Sequence, residues 1–361
     1  MLPTTPCLVI DEAVMTENLR RMADHCRRWG CALRPHVKTH KSPELAKKQL
    51  ALGASGITVA KLSEAEVMAE AGIDDIFMAY PLVGADKIRR AADLTKEIRL
   101  ILSTDSLLAA RQLSEAAESL GVDFELRLEL DTGMGRSGAY VEDALPLAKQ
   151  IAALPHLHLT GISTYRNMIY RGRPHTDRTL CGREEGELMA DLAAQMRQTG
   201  LDIRDVSVGS TATAEACAEV SGVTEVRPGT YIFYDKMQQG KGACDESMLA
   251  AWVEVTVISV KGDLVVVDGG NKSISADCPP DGRLYAGFGE VLGHPELTLF
   301  SMTEEHGMLR SGGAYQTVCV GDRLRIVPNH ICTTVNLYDN AYLQSREGLR
   351  PLRIAARGAN T

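Results

Sequence analysis

The sequence predicts an α/β protein: a (β/α)8 barrel of the TIM type followed by an antiparallel β domain. Three observations predict it. Short apolar runs alternate with amphipathic runs eight times across the first two thirds of the chain, the pattern of parallel strands joined by crossover helices. After about Asp245 the helical period disappears, and β-branched runs divided by Gly, Asp and Pro take over. The residues least suited to packing gather where the apolar runs end, which is where a barrel carries its chemistry.

The strand candidates, in order, are CALRPHV, GITVA, DIFMAY, IRLILS, FELRLEL, LHLTGIS, DVSVG and EVRP. Between them lie helical patterns such as SPELAKKQLALG, SEAEVMAEAG, SLLAARQLSEAAESLG and EEGELMADLAAQMRQTG, several closed by Gly, a common helix stop. Residues 9–244 are therefore assigned to the barrel. The runs AWVEVTVISV, DLVVVDGG, TVCVGDRLRIVP and ICTTVNL place a β domain over 245–361, with residues 1–8 joined to it. A doubly wound sheet is the competing reading; eight units at regular spacing favour the barrel.

With 39 Lys+Arg against 47 Asp+Glu, the net charge of −8 argues against a nucleic-acid partner or an anionic membrane surface. No apolar run is long enough to span a bilayer, and the N-terminus lacks the pattern of a signal peptide. Nine scattered cysteines without a CxxC pair fit a reducing, cytoplasmic setting.

The stretch RPHVKTHKS, Arg34 to Ser42, holds Lys38 between His36 and His40; read as a strand, it puts all three on one face. DTGMGRSG, with Arg136, follows the fifth strand. TYRNMIY, with Tyr165 and Tyr170, follows the sixth, GSTAT the seventh and RPGTY the eighth. In GSTAT, the hydroxyls of Ser210, Thr211 and Thr213 precede a helix-like segment. That suits a phosphate dianion, although Ser and Thr before a helix are also ordinary N-caps. Gly229 would let the backbone approach, and Tyr231 could add a hydroxyl. A lysine, an arginine, an aromatic ring and an anion cradle at one barrel mouth are what pyridoxal 5′-phosphate requires. A lysine partly desolvated among other cations would supply the free amine.

These residues carry a resemblance. From TPCLVIDEAVMTENLRRM through RPHVKTHKS, DTGMGRSG, VSVGSTAT, EVRPGTYIFYD, VVVDGGNKSIS and EEHG to PNHIC, the chain resembles the alanine-racemase-like pyridoxal-phosphate enzymes of fold type III. Within them it is similar to the D-threonine aldolase and D-serine dehydratase family. The resemblance implies that Lys38 is the Schiff-base lysine and the acid/base at the substrate α-carbon, with Lys41 as its rival. Arg136 would contact the phenolic oxygen of the cofactor, and Tyr165 would stack on its ring. Ser210, Thr211, Thr213, Gly229, Thr230 and Tyr231 would hold its phosphate, and Tyr170 matches a loop tyrosine of the dehydratases. His330 and Cys332, in PNHIC, fall on the metal-ligand pair. On a strand, His-x-Cys presents both donors on one face, a start for Zn²⁺, with Mn²⁺ or Mg²⁺ as alternatives. For an arbitrary protein, core packing would explain such a pair. The acidic helix GREEGELMADL reads as a solvated face.

The loop YRNMIYRG and the His-x-Cys pair depart from D-threonine aldolases, which have a Tyr-His-Gly type run and His-x-Asp. The expectation is therefore a homodimeric, metal-dependent lyase acting on a D-3-hydroxy amino acid, on the side of dehydration to a 2-oxo acid and ammonia. Aldol cleavage to glycine and an aldehyde is the first alternative and amino-acid racemisation the second. A non-catalytic cofactor carrier would need neither PNHIC nor the β domain.

Overall fold

The computed structural model describes residues 3–278, 286–310, 312 and 318–361. The chain divides into two compact units: one comprises Met1–Leu19, Thr39–Ser42 and Thr230–Gly358, the other Arg20–Lys38, Pro43–Gly229 and Ala359–Thr361.

The second unit is the barrel. Its parallel strands are Ala32–Leu33, Ile57–Val59, Asp75–Pro81, Arg99–Thr104, Phe124–Asp131, Leu157–Thr164, Asp205–Val208 and Glu225–Val226, each beside the next in chain order. Glu225 pairs with Ala32, and the circle closes where His36 bridges Thr58. The strand centres are apolar on both faces, as covered parallel strands must be: Ile76, Phe77, Leu126, Leu128 and Val206 are all buried. Local signals end the helices between them. Ser106 caps Leu107–Leu120 by accepting from Ala109 N–H, and Gly121, at φ +66°, stops it in the left-handed conformation.

The barrel interior also holds charge. Arg34 and Arg127, 3% and 1% exposed, each donate to Glu225 at 2.6 Å. Burial opposes the carboxylate, but Arg127 and then Arg34 outweigh it and hold Glu225 far below the usual range. Arg127 also lies 4.5 Å over the Phe77 ring. An isolated buried carboxylate would neutralise instead.

In the first unit, Ala251–Lys261, Leu264–Val267, Gly307–Arg310, Thr298–Met302, Gly289–Val291 and Arg323–Pro328 form a closed antiparallel ring, because Ala251–Lys261 pairs with both Leu264–Val267 and Arg323–Pro328. Cys7–Asp11, Asn340–Ser345 and Gly348–Arg353 extend the sheet from Ala251–Lys261. Among the described residues, no helix is long and apolar enough to cross a membrane.

Three local expectations change. RPHVKTHKS is not a strand throughout: regular pairing ends at Leu33, His36 makes a single bridge, and Val37–Thr39 is a 3-10 turn. His36, Lys38 and His40 therefore do not share a strand face. PNHIC is not a strand either. His330 is the extended N-cap of a short helix, Ile331–Val335, started by Asp235, whose Oδ2 accepts from Ile331 N–H at 3.0 Å. The acidic helix lies within Arg178–Gln198 and is not solvated all round: Glu185 and Gly186 are on its buried face.

Candidate active site

Lys38 stands on its 3-10 turn at the C-terminal end of the first barrel strand, half-buried. Its Nζ is 5.7 Å from the centre of the Tyr165 ring, and the Arg136 guanidinium is 5.1 Å from the same ring. Tyr165 is half-buried and directly follows the strand Leu157–Thr164. The structure thus brings together residues separated by about a hundred positions, on three different barrel loops. Beside them, His36 Nδ1 accepts from Lys38 N–H at 3.4 Å. Burial, then the cations Lys38 and Arg227, hold the His36 imidazole well below its usual pKa, so it is neutral at pH 7.

The Arg136 loop is fixed by its own first residue. Asp131 Oδ1 accepts from Gly133 N–H at 2.9 Å and Gly135 N–H at 3.1 Å. Gly138, at φ +109°, has no space for a side chain: a Cβ there would lie 2.4 Å from Asp131 N. Tyr170 sits on a two-stranded hairpin, Ile169–Tyr170 with Arg173–Pro174, where its ring meets His175 at 5.6 Å and Arg171 at 5.3 Å.

The hydroxyl turn follows Asp205–Val208. Gly209 takes φ +83°, and a Cβ on it would lie 3.1 Å from Ala214 Cα. Thr211 Oγ1 accepts from Gly229 N–H at 3.2 Å, tying the loop after the seventh strand to the loop after the eighth. Thr213 Oγ1 accepts from Ser210 N–H at 2.9 Å and donates to Glu185 Oε2 at 3.3 Å, so its hydroxyl is turned inward. Sequence reasoning missed Glu185 because it follows Arg183 and Glu184 in a charged run. The signal was available in the spacing: Cys181, Glu185, Met189, Ala193 and Met196 form one buried stripe.

In the other unit, Cys332 has Thr39 Oγ1 at 3.1 Å and Thr230 Oγ1 at 3.6 Å. Thr230 is thus placed beside the sulfur, and Tyr231 next to it is fully buried. His330 Nδ1 is 2.6 Å from Asp277 Oδ2, which also accepts from Thr333 Oγ1 at 3.0 Å. Burial disfavours the imidazolium; the Cys332 sulfur, Asp235 and Asp277 outweigh it and raise His330 to about 9. Burial likewise opposes the Cys332 thiolate, and His330 and Thr39 bring its pKa below the usual thiol value. Each group thus favours the charged form of the other.

Both donor sets suit the groups expected from the sequence. Around Lys38 and Tyr165 the set is an amine, a guanidinium and a hydroxyl turn, chemistry that fits an anionic aldehyde cofactor. At His330 and Cys332 it is an imidazole and a sulfur, with the second ring nitrogen anchored on a carboxylate, the arrangement that orients metal-binding histidines. Among the described residues no cluster of three or more His, Cys, Asp or Glu ligands occurs, so protein donors alone would leave coordination positions open.

The alanine racemase N-terminal domain family matches residues 10–236, and a putative serine dehydratase domain matches residues 250–344. A D-threonine aldolase from Arthrobacter sp. is 34% identical, with 93% of this chain and 87% of that protein covered. D-threo-3-hydroxyaspartate dehydratase from Delftia sp. is 35% identical over 91% of each. Its solved structure superposes with a TM-score of 0.90 at 33% identity, covering 97% of both chains. It has also been solved with a histidine and, two positions on, a cysteine separately replaced by alanine, the cysteine mutant in a metal-free form. The chain belongs to the alanine-racemase-like family, in the branch that holds the D-threonine aldolases and D-serine dehydratases.

Proposed function

We propose that this protein is a lyase that uses pyridoxal 5′-phosphate and a divalent metal, zinc foremost, to act on a D-3-hydroxy amino acid, favouring dehydration. The observation that carries it is the convergence of Lys38 and Arg136 on the Tyr165 ring at the barrel mouth, 5.7 and 5.1 Å from its centre. The cofactor supplies an electron sink for the substrate α-carbon and the metal supplies Lewis acidity at the 3-hydroxyl. Lys38 would hold the cofactor through its amine and, once the substrate amine has taken its place there, would be the base for the α-proton. His36, neutral beside it, adds no second cation there. Tyr165 would stack on the cofactor ring, Tyr170 would stand in the loop beside it, and Arg136 would meet its phenolic oxygen. Ser210, Thr211, Thr213 and Gly229, with Thr230 and Tyr231, shape the phosphate cradle. His330 and Cys332 hold the metal, and Asp277 keeps the His330 ring oriented. The paired histidine and cysteine mutants of the Delftia dehydratase have the same spacing as His330 and Cys332, which supports both the metal pair and dehydration. The Arthrobacter relative favours aldol cleavage instead. A homodimer in the cytoplasm is part of the proposal.

One incubation decides between the chemistries. The purified protein is given pyridoxal 5′-phosphate, Zn²⁺ and D-threonine. 2-Oxobutyrate with ammonia means dehydration; glycine with acetaldehyde means cleavage and overturns the preference. Neither product, together with a visible cofactor band that survives Lys38→Ala unchanged, would defeat the lyase reading itself.

A further inference from the structure

Beneath the hydroxyl turn lies a carboxyl group that the proposed chemistry does not use. Glu185 is fully buried on the helix Arg178–Gln198. That helix can approach the turn closely because Gly182 faces it, a Cβ there lying 2.7 Å from Thr213 O, while Gly186 makes room for the segment that follows, a Cβ there lying 2.9 Å from Val220 Cβ. Glu185 Oε1 accepts from Gly209 N–H at 3.1 Å and Oε2 from Thr213 Oγ1 at 3.3 Å; Cys217 Sγ lies 3.7 Å from Oε2 and closer, at 3.2 Å, to Gly182 O. The carboxyl therefore grips the turn at its first glycine and at its last hydroxyl.

The direction of the protons follows from this. With Glu185 ionised, the carboxylate can only accept, so the Thr213 hydroxyl proton points to it. Thr213 Oγ1 then has only lone pairs left, one of which takes Ser210 N–H at 2.9 Å. Ser210 Oγ, 3.0 Å from Thr213 Oγ1, must therefore donate inward as well. Its outward side then presents lone pairs, which repel an anion. If Glu185 carries a proton, the chain runs the other way. Glu185 donates to Thr213, Thr213 donates to Ser210, and the Ser210 proton is free to point out of the turn.

We propose that Glu185 is a positioning residue for the phosphate group of the cofactor, and that phosphate binding at Ser210 draws one proton onto Glu185. This rests on the reading of the turn as the phosphate cradle. No bond to the phosphate is made by Glu185; it sets the donor polarity of the hydroxyl that makes it. The charged and titratable groups facing it are Arg166, Arg227 and Cys217, with Cys181 on its own helix. Burial, the largest influence, raises its pKa, while the Gly209 amide and then the two arginines oppose the rise. A dianion at Ser210 adds to the rise.

The test compares the native protein with Glu185→Gln. Glutamine has the same shape and retains an acceptor for Gly209, and its amide donates to Thr213 as a protonated carboxyl would. Dissociation constants for pyridoxal 5′-phosphate and for pyridoxal, which lacks the phosphate, are measured on both proteins between pH 6 and 9. Taking the ratio of native to variant constants cancels the titrations of Lys38 and of the phosphate itself. For the phosphorylated cofactor that ratio should climb with pH, by up to about tenfold per unit where one proton is taken up. For pyridoxal it should stay flat. A ratio independent of pH, or one that changes equally for pyridoxal, overturns the proposal. If the native protein binds pyridoxal no more weakly than its phosphate at any pH, the cradle reading falls with it. Loss of the Lys38 band is read separately and concerns only the lyase assignment.

Discussion

Replacing Asp277 with Asn probes how much of the metal affinity lies outside the two proposed ligands, His330 and Cys332. Asp277 Oδ2 meets His330 Nδ1 at 2.6 Å and Thr333 Oγ1 at 3.0 Å. Burial would raise its pKa, but the bonds from His330, Thr333 and Ser275 hold it below the usual carboxyl value, so it is ionised at neutral pH. The bond to the ring is thus charge-assisted. Such a bond contributes about 1.5–3 kcal/mol and a neutral one about 1 kcal/mol, so asparagine forfeits about 0.5–2 kcal/mol. At about 1.4 kcal/mol per decade this is about 2- to 30-fold in a dissociation constant. Carboxylates behind metal-bound histidines are typically worth about 10- to 100-fold, so the expectation is a loss near tenfold in zinc affinity. Asp277→Ala, which removes the Nδ1 acceptor seen among the described residues, should lose more. The assay is competition for Zn²⁺ against a chromophoric chelator, with thermal unfolding of the apoprotein alongside. If both variants bind zinc within about twofold of the native protein while unfolding earlier, Asp277 merely braces the start of the helix Ile331–Val335 and the ligand reading of His330 loses its support.

Cys332→Ala should remove most zinc binding while leaving the cofactor band of the Lys38 protein in place; retention of full zinc affinity would refute the pair. Gly138→Ala forces a Cβ to within 2.4 Å of Asp131 N and asks for φ +109° of a non-glycine residue, so the Arg136 loop must move. Cofactor affinity should fall by about tenfold, about 1.4 kcal/mol, read from the absorbance titration. Glu225→Gln removes the buried carboxylate that Arg34 and Arg127 share, leaving them only Asp75 and Asp205, and should cost about 3–5 kcal/mol in denaturant unfolding. Because the folded pKa of Glu225 is depressed, its contribution is present above the unfolded value and disappears as pH falls through the acid range. The difference between Glu225→Gln and the native protein should accordingly shrink below about pH 4; a difference that stays constant to pH 3 would refute the assignment of that stability to the ionised carboxylate.

The barrel was legible because its signal is repeated and local. Eight apolar runs, each closed by its own turn, need no distant partner to be recognised, and the strands Asp75–Pro81, Arg99–Thr104 and Phe124–Asp131 fall on DIFMAY, IRLILS and FELRLEL. The separation of the unusual residues onto the strand ends followed from the same register. What was lost depended on contacts across the chain. His-x-Cys has the spacing of a strand face, yet the residue that decides its conformation is Asp235, 96 positions away, which caps Ile331 N–H and starts a helix. RPHVKTHKS alternates like a strand, but its regular pairing stops at Leu33, and Ser42 N–H is taken by His40 Nδ1 as the chain turns. Glu185 shows the same limit from the other side. In sequence it is one of several acids on a charged helix. Its place is set by Gly182, which lets the backbone of the hydroxyl turn come close enough for the carboxyl to hold it. Short-range pattern therefore locates Lys38, the candidate cofactor anchor, whereas Glu185, which holds the hydroxyl turn, and Asp235 and Asp277, which position Ile331 and His330, are acids whose partners appear only after folding. A carboxylate on an otherwise apolar helical stripe, as Glu185 is between Cys181 and Met189, is the one sequence signal that points to such a group in advance.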